Sequence, residues 1–277
     1  MDSTGVMTSL FGAPRALIGM LHLDPLPGSP GHRGGPGSLD ATVARAVAEA
    51  IAYREAGFHA VLIENMHDRP YLRAAVGPET TAAMAVVGRE VRRMVDLPLG
   101  VQVLAAANRE ALAVAAACGG VFVRVEGFVF AHVADEGLVE ADAGTLLRYR
   151  TMIGAEHVRV FADVKKKHSA HAVTADVDVV ETARAAEFAL ADGVIVTGVA
   201  TGRAADLGEV AAVRDSVGVP VFVGSGVTAD NLAGYRTAHG LIVGSAVKRG
   251  GDWRSPLDPA AVARLAAAFR ARSGNAG

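Results

Sequence analysis

Short apolar runs alternate along the chain with longer segments whose apolar residues recur at every third or fourth position, and the alternation repeats eight times. The runs at 16–21, 60–63, 98–104, 120–125, 158–164, 193–197, 219–223 and 241–243 are rich in Val, Ile, Leu and Phe and read as buried strands. The segments after them predict helices over 38–56, 79–95, 108–118, from beyond Asp142 to Ile153, and over 178–190, 207–217, 229–237 and 259–272. The first shows the logic: Ser38 or Asp40 can cap it, Val43, Val47 and Ile51 lie a turn apart, and Gly57 stops it. Parallel strands need crossover helices, so eight such units predict one α/β domain, a (β/α)8 TIM barrel over 15–272. An open doubly wound sheet is the alternative, but polar residues collecting after each strand favour closure into a barrel. Prolines and glycines between His22 and Gly37 predict a long ordered loop after the first strand. Residues 1–14 read as a flexible leader and 273–277 as a flexible tail.

With 277 residues, 51% of them hydrophobic, the chain can bury one large core. Its 27 basic and 29 acidic residues are interspersed and leave a net charge of −2, so there is no electrostatic footprint for nucleic acid. No apolar run approaches the roughly 18 residues of a membrane span, which argues against membrane insertion. The single cysteine, Cys118, excludes an intrachain disulfide framework and fits a reducing cytoplasm. Homo-oligomerisation is compatible with all of this.

A barrel gathers its strand ends around one mouth, so candidate chemistry is read there. The ionisable and polar positions are His22, Glu64, Asn65, Asp68, Arg124, Glu126, Asp163, Lys165, Lys167, His168 and Thr197. Glu64 follows an apolar run, where partial burial raises a carboxyl toward the working range of a general acid or base; a structural ion pair with Arg124 is the plainer role. Arg124 sits among Val and Phe and needs a carboxylate or phosphate partner. If the fifth strand continues, period-two alternation puts Asp163, Lys165 and Lys167 on one face and His168 on the other. A lysine there can hold a phosphate, form a Schiff base, or merely solvate a loop. His22 is open between proton transfer, metal binding and loop anchoring. A divalent ion on Glu64, Asp68 and Asp163 is an option without diagnostic spacing, so no metal site and no cofactor are predicted.

The last two strands break into Gly-Ser, at Gly224, Ser225 and Gly226 and again at Gly244 and Ser245. Such turns let a backbone approach a ligand closely and present N–H groups to an anion, and strands seven and eight are where barrels of this class commonly hold phosphate. Thr197 and Gly198, ending the sixth strand, extend this wall.

Several stretches together resemble the BtpA/SgcQ family. They are the segment 17–30 with His22 and its Pro-Leu-Pro-Gly, Glu64 and Asn65 with Asp68 and Pro70, and Phe122 with Arg124. Asp163 with Lys167 and His168, Thr197 and Gly198 with Thr201 and Gly202, the segment 223–228, and 242–245 running on to Trp253 and Arg254 complete the likeness, which covers about residues 14–270. The resemblance implies a ribulose-phosphate-binding type of barrel, in a family named partly for a protein implicated in photosystem I biogenesis and with another branch associated with unusual sugars. The chain departs from the family pattern where Glu126 replaces Asn and where Glu136 replaces Gln between Asp135 and Gly137.

The reading that results is an enzyme acting on a small phosphorylated sugar or nucleoside-like metabolite, by lyase, isomerase or glycosidic-bond chemistry. Catalysis is expected of Glu64 and Asp163 as acid and base, with Arg124, Lys167, His168 and His22. Ligand binding is expected of Asn65, Glu126, Thr197, Gly198, Gly224, Ser225, Gly226, Gly244 and Ser245, with Arg124, Lys165 and Lys167 balancing the charge of Glu126. The alternative is a non-catalytic assembly or stability factor on an inherited barrel.

Overall fold

The structure, a computed structural model, describes residues 2–35, 37–166, 168–198 and 204–273, with residues 272 and 273 described by their backbone alone. Eight parallel strands close into a barrel: β1 (Ala16–His22), β2 (Ala60–Glu64), β3 (Leu99–Gln102), β4 (Phe122–Val125), β5 (Arg159–Val164), β6 (Gly193–Val196), β7 (Val221–Val223) and β8 (Gly240–Val243). They pair in chain order, and β8 closes the ring on β1. Helices α1 (Ser3–Phe11), α2 (Ser38–Ala56), α3 (Pro78–Met94), α4 (Asn108–Cys118), α5 (Ala143–Met152), α6 (Val179–Phe188), α7 (Leu207–Ser216) and α8 (Pro259–Ser273) supply the rest of the regular framework. The barrel expected from the alternation is therefore the one observed.

Side chains reach the ends of these helices as the capping logic requires. Asp178 accepts from the Glu181 N–H at 2.7 Å and Asp206 from the Glu209 N–H at 2.9 Å, opening α6 and α7. At α2 the expected cap is replaced: Gly37 is the N-cap and no side chain caps the helix, although Gly57 stops it in a left-handed conformation as predicted. The helix expected over 229–237 is only a 3-10 turn, Leu232–Tyr235. Asn231 explains the loss. Its Oδ1 accepts from the Thr228 N–H at 2.8 Å and its Nδ2 donates to the Gly226 carbonyl at 2.8 Å, giving the backbone a local alternative to a helix.

The expected flexible leader is likewise replaced by structure. Residues 3–11 form α1, Met7 and Phe11 are buried, and the Phe11 ring meets Phe122 edge-on at 5.7 Å and Phe222 at 6.2 Å. These rings line the N-terminal end of the barrel interior together with Phe161. Each of the three strand phenylalanines lies where a neighbouring strand carries glycine, Phe122 by Gly100, Phe161 by Gly193 and Phe222 by Gly240, and a Cβ on any of those glycines would overlap the ring.

At the other end, the predicted loop after β1 is held by Asp68, which accepts from the Leu26 N–H at 2.7 Å. Between β4 and α5 the chain is more ordered than a plain loop. His132–Ala134 and Gly137–Val139 form an antiparallel hairpin, and Ser169–Ala170, after β5, adds a third strand.

Candidate active site at the barrel mouth

A cavity of about 600 Å³ opens at the C-terminal ends of the strands. One wall comes from β1 to β5 and carries His22, Glu64, Gln102, Arg124, Glu126 and Lys166. The facing wall is the pair of Gly-Ser turns after β7 and β8, and the hairpin brings Asp135 and Glu136 to the rim. Trp253 also stands at the rim, with the guanidinium of Arg254 at 4.6 Å and that of Arg69 at 5.0 Å from its ring.

The charged wall is built of pairs. His22 Nε2 lies 3.6 Å from Glu64 Oε2, both side chains nearly buried, and His22 Nδ1 is 3.5 Å from the Trp253 carbonyl. Arg124 donates through Nε and Nη2 to the two carboxylate oxygens of Asp163, each at 2.9 Å. Burial alone would lower the Arg124 pKa, but Asp163 first, then Glu64 and Glu126, hold it above its usual value, so the guanidinium stays charged. Asp163 thus replaces Glu64 as the expected ion-pair partner of Arg124, and it does not line the main cavity.

Glu126 reaches the mouth as expected, but its counterion differs. Lys166 Nζ donates to Glu126 Oε2 at 3.1 Å, and the Ala106 N–H donates to the same oxygen at 3.1 Å. Burial would raise the Glu126 pKa, yet Lys166, and more weakly Arg124, hold it below the ordinary carboxylate range. Lys165 turns elsewhere: Lys165 has a φ of 47°, β5 ends at Val164, and its Nζ donates to the Thr174 carbonyl at 2.8 Å. The alternation predicted for Asp163, Lys165 and Lys167 therefore fails at the first step beyond the strand. His168 lines the cavity, and Lys167 lies outside the described residues.

The second wall also holds surprises. Gly198, expected as a ligand donor, gives its N–H to Ser225 Oγ at 2.7 Å. Gly224 lines the cavity, but a Cβ there would meet Ile195 Cγ2 at 2.6 Å, Thr197 Cγ2 at 3.1 Å and Arg124 Nη2 at 3.2 Å, so its small size serves the packing of the barrel interior as well. A Cβ on Gly244 would stand 3.2 Å from the His22 ring, which ties the two walls together. Gly226, Val227, Ser245 and Ala246 line the cavity, and their N–H groups have no backbone acceptor among the described residues.

Asn65, Asp68 and Thr197 are not brought to the cavity. Asn65 Oδ1 accepts from the Leu104 N–H at 2.7 Å and its Nδ2 donates to Asp68 Oδ2 at 3.1 Å, which fastens the loops after β1, β2 and β3 to one another. With Asp68 so engaged and Asp163 on Arg124, Glu64, Asp68 and Asp163 do not converge on a divalent ion. Among the described residues no group of three or more His, Cys, Asp or Glu side chains is placed to hold a metal. Sequence reasoning missed Gln102, although it ends β3 as Glu64 ends β2, and missed Lys166, whose position depends on the backbone turn at Lys165.

A family model described as the BtpA family matches residues 13–271. The chain belongs to the BtpA family. It is 44% identical to a Caenorhabditis elegans protein labelled mitochondrial, covering 94% of this chain and 95% of that protein. It is 36% identical to the photosystem I biogenesis protein BtpA of a Synechocystis species, covering 90% of this chain and 86% of the relative. A thiamine phosphate pyrophosphorylase from Pyrococcus furiosus superposes with a TM-score of 0.58 at 16% identity, covering 96% of this chain and 98% of that one. That likeness shows the fold, a TIM barrel shared with enzymes. Among the described residues no helix is long and apolar enough to cross a membrane.

Proposed function

We propose that the mouth of the barrel binds a small phosphorylated sugar or nucleoside-like metabolite and moves a proton on it, in lyase, isomerase or glycosidic-bond chemistry. The observation that carries this reading is Glu64: a carboxyl only 6% exposed, lining the cavity beside His22 and facing two Gly-Ser turns. The turns at Ser225 to Val227 and Gly244 to Ala246 offer backbone N–H groups to a phosphate, and Arg254 adds a positive charge at the rim. Glu64 gives or takes the proton and His22 exchanges with it, while Arg124, held charged, stabilises negative charge as it develops. Asp163 serves by orienting Arg124. Solved barrels of the same fold include a thiamine phosphate pyrophosphorylase, which supports a phosphorylated ligand. A cytoplasmic location goes with this reading, and a single cysteine, which builds no intrachain disulfide framework, is compatible with it.

Mass spectrometry of small molecules that co-purify with the native protein identifies the ligand, and calorimetry with inorganic phosphate tests the anion site. Arg254→Ala, at an exposed side chain, is expected to weaken phosphate several-fold without unfolding the barrel. With the ligand in hand, Glu64→Gln is expected to lower turnover by about 10²–10⁴-fold with little change in melting temperature. Substantial turnover in that variant removes Glu64 from the mechanism. The name of the Synechocystis relative supports a second reading, an assembly factor. A cavity that binds no phosphorylated compound, in a protein that co-purifies with a macromolecular complex, would favour it.

A further inference from the structure

His22, Glu64 and Gln102 are register partners across β1, β2 and β3, so three adjacent strands end in one row of inward polar side chains. The first two face each other. Gln102 differs: it is 2% exposed, it lines the cavity, and its Oε1 is buried with no hydrogen-bond partner among the described residues. An amide oxygen buried without a partner is costly, and Leu or Met would fill the same space without that cost. The position makes physical sense if the partner arrives with the ligand.

The surrounding charges decide what that partner is. Glu126 is neutralised by Lys166 and Asp163 by Arg124, so a ligand carboxylate at Gln102 would confront its register partner Glu64, while an ammonium would compete with Lys166 and Arg124. A neutral group that donates a hydrogen bond suits the site. A hydroxyl does so, and because it also accepts, it fits the amide whichever way round the amide stands. Around the ring, β3 and β7 are four strands apart in a closed set of eight, which sets Gln102 diametrically across from the Gly-Ser turn after β7.

Resting on the reading of those turns as a phosphate site, we propose that Gln102 is a specificity-determining residue that binds a hydroxyl at the end of the ligand opposite its phosphate. It selects polyol phosphates over alkyl phosphates and phosphorylated carboxylic acids.

Calorimetry with four probes tests this: inorganic phosphate, ribose 5-phosphate, pentyl phosphate and 3-phosphoglycerate, each against the natural protein and Gln102→Met. The natural protein is expected to bind ribose 5-phosphate about tenfold or more tighter than pentyl phosphate or 3-phosphoglycerate. In Gln102→Met the advantage over pentyl phosphate shrinks to about twofold, while the affinity for inorganic phosphate stays the same in both proteins. Gln102→Asn, which keeps an amide but withdraws it by one methylene, is the second variant should the methionine variant fail to fold, and it is expected to lose most of the same advantage. Binding of inorganic phosphate with no preference for ribose 5-phosphate, or a preference that survives both substitutions, overturns the role of Gln102 alone. Failure of every phosphate to bind overturns the phosphate site itself, and the proposal with it.

Discussion

Three strands carry the same inward register at both ends of the barrel and do opposite things with it. Phe122, Phe161 and Phe222 point inward from β4, β5 and β7; two residues further along the same strands stand Arg124, Asp163 and Gly224. At the lower level the rings pack on one another, with centroids 5.4 Å apart for Phe122 and Phe161 and 4.5 Å for Phe161 and Phe222, and Phe11 of α1 completes the cluster. At the upper level the aromatic cluster gives way to a bidentate ion pair, and the absent side chain of Gly224 leaves space beside Arg124. The lower end is fitted by shape and needs no partner from outside. The upper end is fitted by charge, and it keeps a cavity open.

Asp163→Leu tests the upper level most severely. It leaves the buried Arg124 guanidinium without its bidentate carboxylate, and a loss of about 3–5 kcal/mol is expected in denaturant unfolding. Adding Arg124→Met should recover much of that loss, since an apolar pair of similar volume replaces the ions, and yet abolish ligand binding. A single variant as stable as the natural protein would show that the pair is not what holds this level together.

Phe222→Ala is the matching change below. It opens a cavity among the rings and is expected to cost about 3–4 kcal/mol, with phosphate affinity at the mouth unchanged. Altered affinity would mean that the two levels are not separable.

Gly224→Ala sits between them. Its new Cβ would press on Ile195 and Arg124, so a smaller loss of about 1–3 kcal/mol is expected, accompanied by weaker ligand binding as Arg124 shifts.

The smallest effect lies behind the mouth, at Asp142. Burial raises its carboxyl to about 6, although the Asn108 side chain works the other way. Because the folded protein holds this proton more tightly than the unfolded chain, the group takes stability away as pH rises from about 4 to about 6, and the loss is complete above that. Asp142→Asn is therefore expected to raise the melting temperature by a few degrees at pH 7 and to flatten its pH dependence in that window. Glu126, lowered by Lys166 despite its burial, acts with the opposite sign: its contribution is present at neutral pH and lost as pH falls through its folded value. A melting profile of Asp142→Asn that keeps the natural slope between pH 4 and 6 would shift the blame to other groups.

Much of the candidate site was legible because it follows one local rule, that inward-facing residues at the C-terminal end of a barrel strand reach the mouth. His22 and Glu64 end their strands and Arg124 and Glu126 flank the last residue of β4, and Gln102, which ends β3, obeys the rule as well. The rule stops where the strand stops. After Val164 the backbone turns left-handed at Lys165, so Lys166 and not Lys165 meets Glu126, and counting in twos along the sequence could not register that turn. Asn65 and Asp68 depart from expectation for a related reason: their residue types suit ligands and loops equally, and only the approach of Leu26 and Leu104 shows which they serve.

The sequence by itself determined the order of the eight barrel strands and of helices α2 to α8, the placement of polar residues at strand ends and the Gly-Ser breaks, because each depends on neighbours within a few residues along the chain. Tertiary structure alone decided that Arg124 takes Asp163, that Lys166 takes Glu126, that α1 covers the barrel floor through Phe11, and that Gln102 is left with a buried oxygen to satisfy. Those outcomes depend on which side chains closure of the ring brings within hydrogen-bond or van der Waals reach, and a ring of eight strands joins residues that lie 40 or even 200 positions apart.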